Sequence, residues 1–509
     1  MEKYLIMNPL DFPILSTIIF LPLVGVALIL FMRGELAIKV TALITSVATL
    51  LLSVALYTYF DLRTPRFQFG ESLPWIRMYN INYTLGIDGI TILLIVLTAL
   101  ITPACVLCSW TSISQRIKEF MICILLMETA MIGVFCSLDF ILFYVFWEAM
   151  LIPMYLSIGV WGMERRSYAA IKFFIYTFLG SALLLVALLY LSLHSSSFDI
   201  LSFYNLKMTM PVQTLIFFGF LLAFAIKVPM WPVHTWLPDA HTEAPVGGSV
   251  VLAALMLKIG AYGFLRFTLP IVPDAARHFD WLMIGLSLVA IVYIGFIAIA
   301  QTDMKKLIAY SSIAHMGFVT LGCFMIYMIV NKTGNLQDAY MCLDGAMVQM
   351  VSHAFGAGAM FLAFGVLYQQ MHTRYIKDFG GIAKKMPVLA AFFMIFAMSN
   401  VGLPGTSGFV GEFMVILSTF KTSFWVTFFA ASTLVIGAAY TLWMYKRVFY
   451  GPVEHKAVME LKPVGRLDIL NFMLLTLGIF WIGLYPNALL NVFHASVGHL
   501  LQLSLQSHL

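Results

Sequence analysis

Four charged side chains lie inside long apolar stretches of this sequence, where solubility cannot explain them. Glu148 occurs in FYVFWEAMLIPMY, Lys227 in AIKVPMWPVH, Lys258 in SVVLAALMLKIGAYG and Glu412 in GTSGFVGEFMVI. An ionisable group inside a membrane span costs about 2.5–3.5 kcal/mol on insertion scales, so such groups are functional candidates that face the protein interior. Two acids and two bases on four separate stretches predict a set of groups that hold and transfer protons.

Lysine suits proton transfer because its charge depends strongly on its surroundings. Burial lowers the pKa of a lysine by up to several units, and a nearby carboxylate raises it. A buried lysine with a movable or protonatable partner can therefore load and release a proton near neutral pH. The alternative is that the four charges are buried ion pairs that hold helices together, but such pairs rarely stabilise a fold more than apolar residues would.

Two histidines extend the series of candidate proton carriers. In KKLIAYSSIAHMGF, His315 shares a helical face with Ser311 and Ser312, and in MVQMVSHAFGAG, His353 shares a face with Gln349. Polar stripes on otherwise apolar helices are typical of a hydrated proton path. Packing alone is the alternative explanation for each buried histidine.

The polar stretch WPVHTWLPDAHTEAPVGG offers four residues that could in principle bind a metal: His234, Asp239, His241 and Glu243. Their spacing does not fix them on one face. We therefore expect this stretch to cap a broken helix and to lead water to Lys227.

Other potential sites carry weaker signals. Glu128 is a fifth acid in an apolar stretch, but it could lie on a helix face that touches a neighbouring subunit. Cys105 and Cys108 form a C-x-x-C without a second pair or a nearby histidine, so we interpret them as packing residues. The sequence has no P-loop, no G-x-G-x-x-G after a strand and no H-E-x-x-H. We expect no cofactor and no metal in this chain.

The elements that must position these residues are membrane-spanning helices. Of 509 residues, 61% are hydrophobic and only 10% are charged, whereas a soluble domain carries about a quarter charged residues. Apolar stretches recur at the length that crosses about 30 Å of hydrocarbon, and their continuity excludes a β-barrel. We predict an all-α polytopic membrane protein with about fourteen spans, near residues 13–32, 36–60, 89–109, 118–137, 139–161, 169–194, 212–230, 247–268, 281–300, 305–330, 339–370, 387–420, 423–446 and 467–488.

The seventh and twelfth spans are predicted to be broken. Pro229 and Pro232 follow Lys227, and a proline inside a helix removes a hydrogen bond and clashes with the preceding turn. The twelfth span is too long for one straight helix and contains VGLPGTSGFVG. Breaks at matching places predict two inverted five-helix repeats, formed by spans 4–8 and 9–13. The predicted units are three N-terminal spans, the two repeats, and a last span with a tail, at 1–117, 118–268, 281–446 and 447–509.

The basic residues favour one orientation in the membrane. Loops after the odd-numbered spans carry more lysines and arginines than the others, among them Arg165, Arg166, Lys305, Lys306 and Arg374. The positive-inside rule then places these loops in the cytoplasm and both termini on the outer side. No basic cluster with interleaved aromatic residues suggests nucleic-acid binding.

Three stretches carry a family resemblance: FYVFWEAMLIPMYLSIGVWG, KVPMWPVHTWLPDAHTEAPVGGSVVLAALMLKIGAYG and KKLIAYSSIAHMGF. They resemble the proton-translocating, antiporter-like subunits of respiratory complex I and the Mrp cation/proton antiporters. The resemblance implies fourteen spans, two inverted repeats, broken helices seven and twelve, and no bound cofactor. It also implies a role for each candidate residue. Glu148 and Lys227 are the charged pair of the first half, and Lys258 is the central relay. His315 and His353 link this relay to the outlet, which is Glu412.

The resemblance also implies a mechanism and a setting. Protons would move from the cytoplasm to Lys227, then through Lys258 and the two histidines, and out by Glu412, driven by quinone reduction elsewhere in the complex. The expected setting is a bacterial inner membrane, with L-like and N-like antiporter subunits as partners. Most relatives carry lysine where Glu412 stands, which favours one branch of complex I subunits. An Mrp antiporter subunit, a hydrogenase membrane arm, a sodium/proton exchanger and a structural scaffold are the alternatives.

Overall fold

Long helices make up most of the chain. The computed structural model describes residues 5–9, 12–195 and 197–509. Within these ranges, 14 helices are long and apolar enough to cross a membrane, so the chain is an all-α polytopic membrane protein. Residues 1–4, 10–11 and 196, which fall in the predicted units 1–117 and 118–268, lie outside the described residues.

The helices follow one another with short connections. Those of the first half are α1 Ile14–Phe31, α2 Glu35–Thr58, α3 Gly89–Ser112, α4 Ile117–Cys136, α5 Phe140–Trp161, α6 Arg166–Ser195, α7 Met210–Lys227, α8 Trp236–Glu243 and α9 Val246–Ile271. Those of the second half are α10 Asp280–Ile299, α11 Met304–Thr333, α12 Leu336–Met371, α13 Pro387–Val401, α14 Ser407–Phe420, α15 Phe424–Phe449, α16 Arg466–Leu484 and α17 Asn487–Leu505.

The seventh and twelfth predicted spans each consist of two short helices. Helix α7 ends at Lys227, and the chain turns through residues 228–235 before α8 begins. The indole nitrogen of Trp236 donates to the carbonyl of Ile226 at 2.9 Å, which fastens α8 to the end of α7. Residues 402–406 separate α13 from α14 in the same way. Exposed carbonyl and amide groups at membrane depth are tolerated only where protein or water satisfies them.

Contacts between helix ends define two faces of the molecule. The ends near residues 85–89, 137–140 and 199 are joined by bridges between Leu85 and Ser137 and between Asp139 and Asp199, and we call this side the hairpin face. At the opposite side, the amide of Met304 donates to the carbonyl of Arg374. This side carries the basic loops, and we call it the basic face.

A small sheet covers the hairpin face, where the sequence analysis had only a loop at 61–88. Strands β2 Phe67–Ile76 and β3 Ile81–Ile87 form an antiparallel hairpin, and β1 Leu5–Met7 pairs in parallel with β2. Both oxygens of Glu71 accept hydrogen bonds at the start of α1, from the amides of Leu15 and Ser16. The sheet was missed because short strands carry a weak pattern beside twenty-residue apolar helices.

The predicted C-terminal tail is also structured. Helix α16 ends at Leu484, four residues before the predicted end of the last span, and α17 follows after Tyr485 and Pro486. Although α17 is long enough to span a membrane, its partners all lie at the hairpin face. Gly89 donates its amide to Ser496, and His508 donates its amide to Asp274. Helix α17 therefore lies along this face, and the fourteen crossings are made by α1–α6, the pair α7 and α8, α9–α12, the pair α13 and α14, α15 and α16.

Candidate functional site

Lys258 lies on the most enclosed helix of the protein. Every residue of α9 is buried, and two π-helical segments, Leu252–Met256 and Phe264–Thr268, flank the lysine. Such segments are rare and are frequent at functional sites. The Lys258 ammonium donates to the carbonyl of Ala253 at 2.6 Å, inside the first of these segments.

The same ammonium also reaches a histidine on another helix. Lys258 Nζ lies 2.7 Å from Nδ1 of His353 on α12. Because an ammonium has no lone pair, Nδ1 must accept this bond, so the proton of a neutral His353 ring sits on Nε2. Within the described residues Nε2 has no hydrogen-bond partner, and it is free to pass that proton on.

His315 and Glu412 form a second close pair beside the first. His315 Nδ1 on α11 lies 2.6 Å from Oε1 of Glu412 on α14, and the ring centroid of His315 is 5.9 Å from that of His353. Gln349 Nε2 donates to the same carboxylate oxygen at 2.9 Å. A cavity of about 10 Å³, the space of about one water, lies between these helices, lined in part by His315, Gln349, Ser352, His353 and Asn400.

A close approach of two backbones places Glu412 at this cavity. A Cβ on Gly411 would lie 2.6 Å from the backbone nitrogen of Gln349, so only glycine allows α14 to pack this tightly on α12. The next residue of α14 is Glu412, which is 2% exposed. The break between α13 and α14 therefore turns a carboxylate toward the two histidines.

Lys227 has different surroundings. Its ammonium is buried without a hydrogen-bond partner among the described residues, and it lies 4.2 Å from the ring centroid of Trp147. Glu148 is half-buried, and its Oε1 has no hydrogen-bond partner among the described residues. No salt bridge joins Lys227 and Glu148 within this part of the chain, although the two charges are close enough to interact electrostatically.

Lys227 and Lys258 are brought together by a glycine. A Cβ on Gly260 would lie 2.8 Å from the backbone nitrogen of Val228 and 2.9 Å from Cβ of Lys227. The end of α7 therefore rests directly against α9, two residues from Lys258. Helix α7 therefore ends, after Lys227, where it contacts α9, the helix that carries Lys258.

Glu128 is not at a surface open to a neighbouring subunit, as the sequence had suggested. It is 0% exposed, and Thr102 is the neighbouring side chain within reach of its carboxylate. It lies on the side of α4 that packs against α3, where Cys105 is close enough to interact with it electrostatically. The cysteines are all free and buried, which agrees with packing residues.

The polar stretch after Lys227 does not converge on one point. Asp239 pairs with Lys172 on α6 at 2.7 Å, and Glu243 accepts from the amide of Arg165 at 2.9 Å. His241 instead stacks on Phe361 of α12. In the part of the chain that the structure describes, no three His, Cys, Asp or Glu side chains are grouped closely enough to hold a metal ion.

A charged cluster at the basic face was missed by the sequence analysis. Arg374 pairs with Asp303 at 2.8 Å and with Glu243 at 3.3 Å. Burial raises the pKa of Asp303 above its ordinary value, although Arg374 and the amides of the following turn oppose this shift. Burial alone would lower the pKa of Arg374, but Asp303 and Glu243 raise it above its usual value. Charged residues in loops are common, so only their mutual contacts distinguish these three.

Comparisons with known proteins agree with this arrangement. Residues 137–437 match the profile of the family described as NADH:quinone oxidoreductase/Mrp antiporter, TM. The chain is 45% identical over 508 residues to NADH-quinone oxidoreductase subunit M of Rhodobacter capsulatus, covering 96% of each chain. It is 40% identical over 491 residues to NADH-ubiquinone oxidoreductase chain 4 of Marchantia polymorpha, covering 96% of this chain and 97% of that one.

A solved structure shows the same fold. A chain of respiratory complex I from Thermus thermophilus with bound NADH superimposes with a TM-score of 0.86 and 28% identity, and the match covers 96% of this chain and 99% of that chain. The matched profile spans more than half of the sequence and includes both breaks. The protein therefore belongs to the NADH:quinone oxidoreductase/Mrp antiporter family of membrane subunits.

Proposed function

We propose that this chain is the subunit M type of membrane-arm subunit in a proton-translocating NADH:quinone oxidoreductase, and that it moves protons across the membrane. Identities of 40–45% over nearly the whole length of subunit M and chain 4 proteins support this assignment. The chain takes part in catalysis as a translocase subunit, while NADH oxidation and quinone reduction take place in other subunits. We propose no cofactor or metal for this chain.

The observation that carries the proposal is a row of close contacts between α9 and the helices of the second half. The row joins Lys258 to His353 at 2.7 Å and His315 to Glu412 at 2.6 Å, on either side of one small cavity. Among the described residues neither imidazole Nε2 has a hydrogen-bond partner, and the cavity between the rings has the space of about one water. Three helices and a broken helix thus supply one path for a proton.

Each transfer along this path breaks one N–H or O–H bond and forms another. The Lys258 ammonium gives its proton to Nδ1 of His353, which releases a different proton from Nε2. The Nε2 of His315 takes up that proton by way of water, and its Nδ1 proton passes to the carboxylate of Glu412. Histidine suits this role because its two nitrogens can accept and donate in one step.

Lys227 supplies this path from the first half of the chain. The face of Trp147 holds the ammonium by a cation–π contact at 4.2 Å, an attraction that requires the positive charge and is therefore lost when Lys227 gives up its proton. We propose that Glu148 acts on Lys227 electrostatically at longer range, and that the two side chains form an ion pair in another state of the complex. Gly260 keeps Lys227 beside the helix that carries Lys258.

The orientation and the partners belong to the same proposal. The basic face is cytoplasmic, and both termini are on the outer side of a bacterial inner membrane, as the positive-inside rule favours. L-like and N-like antiporter subunits flank the chain in the membrane arm. The division into 1–117, 118–268, 281–446 and 447–509, with two inverted repeats in the middle, remains part of this proposal.

Alanine variants of Lys227 and Glu148 in the assembled complex test the proposed function. Quinone reduction and proton pumping are measured on the same membrane vesicles, and assembly is checked on native gels. We expect assembled complex with reduced pumping. Full pumping in both variants would contradict the path, and loss of assembly in both would favour a structural role for the charges.

A Glu412→Lys variant separates the branches of the family. If Glu412 serves only to occupy space and charge, lysine at this position disrupts the bond to His315 and the complex does not assemble. If the group is an outlet, the complex assembles and its pumping changes. Pumping of sodium in place of protons, or co-purification with antiporter subunits in place of dehydrogenase subunits, would overturn the assignment in favour of an Mrp-type antiporter.

A further inference from the structure

His241 is a buried histidine that the proposed path does not use. It lies on α8, is 0% exposed, and neither ring nitrogen has a hydrogen-bond partner among the described residues. Its ring stacks on Phe361 of α12, with centroids 4.7 Å apart and planes 9° apart. An imidazole with two unpartnered nitrogens in a protein interior loses hydrogen bonds to water without replacement, at a cost of about 1–3 kcal/mol per group.

Lys305 lies next to this histidine and is almost as deeply buried. It occupies the first turn of α11 and is 1% exposed. Its ammonium donates to the carbonyl of Ala244 at 2.6 Å and is 3.4 Å from the carbonyl of Thr242, so its partners are main-chain oxygens just after His241. His241 is close enough to both Lys305 and Lys258 to interact with them electrostatically.

A polar opening at the basic face reaches Arg374. A cavity of about 120 Å³ is lined by Glu164, Tyr368, His372 and Arg374, among others. Arg374 bonds to Glu243 and to Asp303. Asp303 is two residues before Lys305, and its carboxylate accepts the amide proton of Lys305 at 2.9 Å.

Small residues fill the space between His241 and Lys258. On α12, Phe361 beneath His241 is eight residues from His353, which corresponds to about 12 Å along the helix. Between them lie Ala357 and Gly358, and a Cβ on Gly358 would meet only Ala254 and Val250, at 3.6 Å and 3.8 Å. The polar cavity beside His353 extends as far as Ala357. Small side chains therefore line the interval that water would have to bridge between the two levels.

We propose that Lys305 and His241 form a second proton inlet, which leads from the basic face to Lys258 without passing Lys227. This inference rests on the proposed function, because it requires Lys258 to be the central relay. His241 accepts a proton at one ring nitrogen from the Lys305 side and releases one from the other nitrogen toward Lys258. Each step exchanges one N–H bond for another, and no electrons are transferred.

The competing explanation is structural. A lysine at the C-terminal end of a short helix satisfies its free carbonyls and opposes the helix dipole, and a histidine can stack on phenylalanine as any flat ring does. If these roles are the whole explanation, assembly and pumping require the flat ring of His241 but not its two nitrogens. A His241→Phe variant therefore distinguishes the explanations, because it keeps a flat ring and removes both nitrogens.

The experiment measures proton pumping and quinone reduction in vesicles that contain the assembled complex. The variants are His241→Phe, Lys305→Gln, Lys227→Ala, the double variant Lys227→Ala with His241→Phe, and Lys258→Met. Lys306→Gln is the matched control, since Lys306 neighbours Lys305 in the sequence but its side chain is only half-buried. Loss of a positioned proton-transfer group slows its own route by about 100-fold or more.

We expect each inlet variant to keep part of the pumping, and the double variant to fall to the level of Lys258→Met. Lys306→Gln should pump normally. Normal pumping in His241→Phe overturns the inlet and leaves the structural explanation. A double variant no worse than Lys227→Ala also overturns it, as does failure of His241→Phe or Lys305→Gln to assemble. Full pumping in Lys258→Met would instead overturn the proposed function itself.

Discussion

The two buried lysines of the central helices differ in what surrounds their ammonium groups. Lys258 bonds to the carbonyl of Ala253 and to His353, and a second close pair, His315 with Glu412, lies across a 5.9 Å gap between the two rings. Lys227 has no hydrogen-bond partner among the described residues and lies over the ring of Trp147. The path from Lys258 to Glu412 is therefore nearly connected, whereas the surroundings of Lys227 must rearrange before this lysine can exchange a proton with an acid.

This difference indicates where a transfer can be controlled. A path whose members already touch passes protons whenever one arrives, and its control must come from elsewhere. An unpaired ammonium at a helix break is held by a weaker contact and can change partners at lower cost, since a cation–π contact is worth about 2 kcal/mol when desolvated. We expect conformational control at Lys227 and Glu148, and conduction between Lys258 and Glu412.

Removing the imidazole at the centre of the connected region should have the largest effect. His353→Leu deletes the imidazole of α12 that bonds to Lys258, and we expect proton pumping to fall by about 100-fold or more. Pumping is measured by fluorescence quenching in vesicles with equal amounts of assembled complex. His278→Leu is the control, because His278 is exposed near the hairpin face. Equal pumping by the two variants would show that the contact at His353 does not conduct.

Changing the acid at the end of the connected region should separate proton transfer from packing. Glu412→Gln keeps the shape of the side chain and removes its ability to bind a proton, so we expect assembled complex with about tenfold lower pumping, which corresponds to about 1.4 kcal/mol in the barrier. Glu412→Leu also leaves donors on His315 and Gln349 without an acceptor, at about 1–3 kcal/mol each. Thermal unfolding should therefore show a loss of stability for leucine and a much smaller loss for glutamine.

Disturbing the ring that holds Lys227 should have a moderate effect. Trp147→Leu removes the cation–π contact and the hydrogen bond from the indole nitrogen to Ser181, which is 3.0 Å long. We expect a loss of about 2–3 kcal/mol in the free energy of unfolding. Trp147→Phe keeps an aromatic face and should lose less. If phenylalanine and leucine destabilise the protein equally, the ring face does not hold the ammonium.

Changing Glu148 should have the smallest effect on stability. This small effect would distinguish the loosely held Lys227 from Lys258, whose neighbours are directly bonded to it. The Oε1 atom of Glu148 has no partner and the side chain is half-buried, so Glu148→Gln should shift the free energy of unfolding by no more than about 0.5 kcal/mol. Pumping should nevertheless fall, because the proposed state that pairs Glu148 with Lys227 is lost. A large loss of stability in calorimetry would show that the two residues already pair in the resting protein.

Much of the fold could be predicted from the sequence because the membrane restricts it severely. Continuous apolar stretches can only be helices in lipid, and proline or glycine clusters mark where such helices break. Lys258 and Glu412 attract attention because a charge in lipid is costly. The same reasoning finds Glu128, which is buried between α3 and α4 and lies outside the proposed path.

The rest depended on information that spacing does not contain. Contact between His315 and Glu412 depends on how far the break at 402–406 displaces α14, which no sequence pattern measures. Arg374 and Asp303 look like ordinary loop charges until the fold brings them together. Strands β2 and β3 and helix α17 lie outside the lipid, where shorter and weaker patterns decide the structure.

The central claim is that a proton passes through Lys258 on its way to Glu412. The most direct test is the number of protons pumped per quinone reduced in complex that carries Lys258→Met, compared with wild-type complex assembled to the same level. The account predicts that assembly persists and that pumping through this subunit is lost, so that fewer protons are pumped per quinone or turnover stops. An unchanged ratio at unchanged turnover would contradict it.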